Sequence, residues 1–81
     1  MIEKKHSDKE FLKRIGKRIR IIRLSKKIRQ NEIAYRCNFD KSSYNNIEAG
    51  KRNLTLLNLR KIAKALDVDI IDLLQTTSTQ K

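Results

Sequence analysis

Apolar residues recur with helical period through most of the chain. Ile15, Ile19 and Ile22 stand at i, i+4 and i+7, with Phe11 or Leu12 one turn earlier. That spacing is the buried stripe of an amphipathic helix. Asp8 is its expected N-cap, Glu10 suits the positive end of its dipole, and it should run to about Lys26. A second helix is predicted over Gln30 to Cys37, with Ile33, Ala34 and Cys37 on one face. Asn38-Phe39-Asp40 forms a turn, since Asn readily takes the left-handed conformation that ends a helix. Asp40 then caps a third helix, with Tyr44 and Ile47 inward and Gly50 at its end. Ala34 is small where the second and third helices should cross. A fourth helix, capped by Thr55, buries Leu59, Ile62, Ala63 and Leu66 at i, i+3, i+4 and i+7. Asp67-Val68-Asp69 is a turn, and Asp69 caps a last short helix from Ile70 to about Leu74, in which Ile70, Leu73 and Leu74 can face the core together.

Composition narrows this pattern to one small all-α domain. The chain has 81 residues, with two Gly and no Pro to break helices. A domain of this size buries only about 60% of its unfolded surface, so oligomerisation is a common remedy. The expected organisation is a flexible tail over 1–7, a folded domain over 8–75 and a second tail over 76–81. Lys27 to Arg29 is a connector with Ile28 turned inward. No segment approaches 18 consecutive apolar residues and no signal peptide is visible. A single cysteine permits no intrachain disulfide, which fits a reducing cytoplasm.

Charge points to a polyanion. Twenty Lys and Arg oppose nine Asp and Glu, a formal net charge of +11. Nine bases and no acid lie between Phe11 and Asn31, whereas three acids and no base lie between Ala65 and Gln80. One end should face phosphate and the other should not. The basic face of the first helix is read mostly as solvated surface and long-range steering. A membrane-surface role is disfavoured, because the apolar stripe lacks interfacial Trp and the core needs it. On the third helix, Lys41, Ser42, Ser43, Asn45 and Asn46 face outward. A row of hydrogen-bonding side chains with little apolar bulk suits the edges of base pairs.

These features make the chain resemble the phage-repressor and Cro type of helix-turn-helix protein, a bacterial family of small regulators that includes restriction-modification controller proteins. The resemblance is carried by Ile19-Arg20, Arg23, Gln30, Glu32-Ile33-Ala34, the run Ile47-Glu48-Ala49-Gly50-Lys51-Arg52-Asn53, Leu59 with Ile62 to Leu66, and Asp72-Leu73-Leu74. It implies a compact five-helix, lambda repressor-like domain. It also implies a buried ion pair between Arg23 and Glu48. Two positions depart from the family. Arg29 stands where a Ser or Thr N-cap is usual, leaving Glu32 as half a capping box, unless Asn31 caps slightly later. Leu54 stands where Pro is usual.

The resemblance implies a sequence-specific regulator of double-stranded DNA, with the recognition helix Asp40–Ala49 in the major groove. In the family the first, second and sixth positions of that helix reach bases. Here these are Lys41, Ser42 and Asn46, with Asn45 or Ser43 as neighbours. Lys can donate to guanine and Asn can pair with adenine; phosphate contact is the alternative role for Lys41. Gln30 lies at a helix N-terminus suited to a phosphate, and the resemblance gives its side chain the same partner. Lys51, Arg52 and Asn53 should hold further phosphates, which set register without reading sequence. Ile71 is apolar where the family commonly carries a polar residue. With Ile70 and Leu74 it suggests a homodimer contact, and hence a pseudo-palindromic operator.

Other classes find less support. There is no phosphate-cradling Gly-rich loop and no metal-spaced Cys/His cluster, so no enzyme, cofactor or metal is expected. Lone His6 reads as solvated and Cys37 as a small core residue. No small-molecule ligand is evident, and RNA polymerase is a further partner if the operator adjoins a promoter. Within the class, a restriction-modification controller or an antitoxin-type autoregulator are alternatives. Outside it stands a protein-interaction or RNA-binding module, for which exposed aromatics are scarce.

Overall fold

The structure, a computed structural model, describes residues 7–75. Both expected tails, Ser7 apart, and His6 lie outside the described residues. Within them the regular elements are five helices: α1 (Asp8–Ser25), α2 (Gln30–Cys37), α3 (Lys41–Glu48), α4 (Leu56–Leu66) and α5 (Ile70–Leu74). α1 packs on α3 and α5, α2 lies between α3 and α4, and α4 meets α5.

Local chemistry sets most of the boundaries. Asn38 is left-handed at φ 62°, and the Phe39 N–H donates to the Ala34 carbonyl at 2.9 Å, which closes α2. Asp40 accepts from the Ser43 N–H and starts α3, while Thr55 accepts from the Asn58 N–H and starts α4. Asp67 ends α4 in the left-handed region, and Asp69 with Asp72 forms a capping box on α5. α2 has Arg29 as N-cap, with no side-chain bond there, and Asn31 plays no capping part.

Two details differ from the sequence reading at α1. Its N-cap is Ser7, whose hydroxyl accepts from the Glu10 N–H at 3.1 Å, so Asp8 falls in the first turn. Both residues are good caps, and a one-residue shift costs little. Phe11 is 50% exposed and Leu12 half-buried, so the stripe is fully covered only from Ile15 onward.

The core joins Ile15, Ile19 and Ile22 of α1 to Ile33, Ala34 and Cys37 of α2, Tyr44 and Ile47 of α3, and Leu59, Ile62, Ala63 and Leu66 of α4. Leu73 closes it from α5. Burial pushes the Cys37 thiol up to about 11, so it stays a neutral core group. Gly16 lets α1 reach α3. A Cβ there would lie 2.4 Å from the Glu48 carbonyl oxygen and 2.5 Å from that of Ile47, closer than any side chain permits. Gly50, at φ 74°, ends the α3 segment in a conformation that costs glycine little. Arg18 ties α1 to α5 through Nε to the Asp72 carbonyl at 2.8 Å.

Candidate nucleic-acid interface

Glu48, at the end of α3, is the anchor of the interface. Its Oε2 accepts from Arg23 Nε at 2.6 Å and from the Tyr44 hydroxyl. Its Oε1 accepts from Arg23 Nη2 at 3.1 Å and from Gln30 Nε2 at 3.0 Å. All four lone-pair directions of the carboxylate are thereby occupied. Arg23 also donates from Nη1 to the Ile28 carbonyl at 2.8 Å, which holds the α1–α2 connector. The Arg23 and Glu48 side chains are only 7% and 3% exposed. Burial would push the Glu48 carboxyl up, but hydrogen bonds from Arg23, Tyr44 and Gln30 outweigh it and hold the group below the usual carboxylate range. The bond to Glu48 likewise raises Arg23, and burial followed by that carboxylate raises Tyr44. The group is charged, paired and fixed at neutral pH.

This anchor sets the pose of α3. Tyr44, Ile47 and Glu48 face inward, while Lys41, Ser42, Asn45 and Asn46 are exposed. Ser43 is half-buried and its hydroxyl donates to Asp40 Oδ1 at 2.8 Å, so it is engaged at the start of the helix. That bond also holds the Asp40 carboxyl below its ordinary range. Beside α3 opens a cleft of about 530 Å³, lined by Lys41 and Asn45 of α3, Gln30 and Asn31 of α2, Arg29 of the connector and Arg20 of α1. From the sequence, Arg20 is part of the family resemblance on a basic helix and Arg29 a missing N-cap, and neither is placed beside α3. Their placement depends on how α1 is rotated against α3, which no local spacing reveals. Gln30 is half-buried, with its side-chain nitrogen turned to Glu48 and also 3.5 Å from Asn45 Oδ1.

Lys51 and Arg52 are exposed just beyond α3. Asn53 is exposed too, but borders a separate apolar hollow of about 320 Å³ with Phe11, Leu12, Leu54 and Leu74. At the far end, Ile71 is 59% exposed and Ile70 half-buried. Leu74 is 43% exposed rather than turned to the core with Leu73, because α5 is a single turn and only one face meets α1 and α4. Two residues not singled out from the sequence, Leu56 and Leu57, are 71% and 67% exposed and share a hollow with Val68 and Ile70. Among the described residues no helix is long and apolar enough to cross a membrane.

Two short helices joined by a left-handed turn, the second buried on one side and polar on the other, define a helix-turn-helix domain. A helix-turn-helix family model matches residues 19–73, and the chain belongs to that family, in the group that holds the restriction-modification control proteins. The chain is 42% identical over 64 residues to control protein C.BamHI of Bacillus amyloliquefaciens, covering 78% of this chain and 79% of that one. It is 35% identical to the crystal structure of the restriction-modification controller protein C.AhdI from Aeromonas hydrophila, covering 76% of this chain and 94% of that one at a TM-score of 0.75. It is equally 35% identical to C.Esp1396I bound to a 25 base pair operator site, covering 78% and 83% of the two chains at a TM-score of 0.71. The family is one of DNA-binding regulators.

Proposed function

We propose that this chain is a non-enzymatic, cytoplasmic transcription regulator that binds a pseudo-palindromic operator as a dimer, and that its operator controls a restriction-modification system. The observation that carries the reading is the outward face of α3: Lys41, Ser42, Asn45 and Asn46 project from a helix held by the buried Glu48 network, beside a basic cleft. The operator complex of C.Esp1396I supports the same use of the fold.

In this reading α3 enters the major groove. Lys41, Ser42, Asn45 and Asn46 meet base edges, and Ser43 acts chiefly by fixing the helix start. Lys51, Arg52 and Asn53 hold phosphates on one side, and Arg20 and Arg29 on the other. Gln30 contributes through its backbone N–H at the start of α2, where helical amides lack intrahelical partners. Ile71, Ile70 and Leu74, extended by Leu56 and Leu57, form the subunit contact. A two-fold axis there would set the recognition helices about 34–36 Å apart, one turn of DNA. Repression follows when the occupied operator blocks polymerase, and activation when the bound dimer touches it.

The test is selection from a random duplex library at two salt concentrations. An inverted motif with half-site centres about 10 bp apart is expected. The logarithm of affinity should fall with that of salt by about 0.9 per phosphate held. Salt-dependent binding with no enriched motif would leave only a basic protein that adheres to polyanions.

A further inference from the structure

We propose that Gln30 is a positioning residue that fixes the amide of Asn45 with its NH2 group outward, so that Asn45 reads a hydrogen-bond acceptor on a base, guanine first and thymine second. The inference rests on the operator-binding reading and specifies what that surface recognises.

The polarity is transmitted from the buried ion pair. Glu48 is an ionised carboxylate, which accepts hydrogen bonds and donates none. Its Oε1 lies 3.0 Å from the side-chain amide of Gln30, so the Gln30 NH2 group must face it. That same nitrogen lies 3.5 Å from Asn45 Oδ1. The contact is long, and its importance is in sign rather than strength. If Asn45 were turned over, two NH2 groups would oppose each other. The Asn45 carbonyl is therefore held inward and its two N–H donors are presented at the exposed surface of α3. A free Asn would pair bidentately with adenine, accepting from N6 and donating to N7. A fixed NH2 group cannot accept. Guanine offers it two acceptors, O6 and N7, and thymine offers O4; adenine offers N7 only beside an N6 donor that the NH2 group opposes, and cytosine presents only a donor. Asn46 next to it has no side-chain hydrogen bond among the described residues, so it keeps both orientations and remains able to read adenine. Two adjacent asparagines thus acquire different specificities from their surroundings.

The experiment is library selection with the intact protein and two variants, Asn45→Ala and Gln30→Met, the latter keeping length and helix propensity. Asn45→Ala should flatten one column of each half-site. In the wild type that column should favour guanine or thymine over cytosine by about 5-fold or more. Gln30→Met should raise adenine in that column by more than it changes any other column. A wild-type preference for adenine there would overturn the proposal. So would a column unmoved by Gln30→Met, an even loss over all columns in that variant, or no column that depends on Asn45. Absence of any inverted motif in the wild type would instead overturn the operator reading, and this inference with it.

Discussion

Removing the Glu48 carboxylate is the sharpest perturbation the structure offers. In Glu48→Ala, Arg23 keeps its charge at a side-chain exposure of 7% and loses two hydrogen bonds, while the buried Tyr44 hydroxyl loses its acceptor. A surface ion pair would be worth about 0–1 kcal/mol. A buried one broken from one side costs about 3–5 kcal/mol, since the remaining charge is left in low dielectric. Total stability for 81 residues is about 4–12 kcal/mol. The loss is therefore a quarter of the total or more, and roughly 12–40 °C in Tm at about 4–8 °C per kcal/mol. Urea unfolding followed by circular dichroism, at one fixed protein concentration, measures it. Tyr44→Phe should fall between wild type and Glu48→Ala, because it removes one bond to the carboxylate and leaves Arg23 paired. The effect also has a pH signature. The folded carboxyl is held below its ordinary value of 4.5, so its contribution is complete above that value and is lost as pH falls through the folded one. The gap between wild type and Glu48→Ala should be full at pH 7 and shrink on acidification. An unchanged midpoint at pH 7, or a gap that ignores pH, would refute the reasoning.

Three further substitutions probe other parts of the molecule. Gly16→Ala places a Cβ against the Ile47 and Glu48 carbonyls and should cost about 1–3 kcal/mol by forcing α1 away; a wild-type urea midpoint would show that the contact relaxes freely. Arg29→Thr supplies the N-cap that α2 lacks and should raise stability by about 1 kcal/mol, while the salt slope of operator binding falls by about 0.9. Either change without the other would separate the two roles given to this position. Ile71→Glu should shift the protein from dimer to monomer by sedimentation equilibrium at tens of micromolar, and a monomeric wild type under those conditions would count against the α5 interface.

The helices were legible because their signals are local. Asn38, Asp40, Thr55 and Asp69 each act within four residues, and the apolar spacings that define the faces of α2, α3 and α4 need no partner to be read. The five-helix architecture follows from them and from the family resemblance. What stayed hidden depends on how separate helices meet. Nothing near Gly16 says that a carbonyl pair lies above it. The bases of α1 repeat all along the helix, and only its rotation against α3 brings Arg20 to the cleft. Phe11 and Leu74 have core-like spacing but stand near the ends of the described residues, where none of the five helices covers them fully. The outward face of α3 was visible as a polar row. That Ser43 is spent on Asp40 and Gln30 on Glu48 was not, because such bonds depend on rotamers and on the crossing of α2 and α3.

The close approach at Gly16 also decides what kind of change the reading surface can absorb. α1 rests on main-chain carbonyls of α3, atoms that every substitution along that helix leaves in place. Lys41, Ser42 and Asn46 are exposed and form no part of that seat, so under the proposed function they can be exchanged while the angle at which the helix meets DNA is preserved. Sister proteins built on this frame can drift to separate operators by a few surface substitutions, each step still folding and docking. Two such regulators in one cell then become mutually blind without any change to their shared interior.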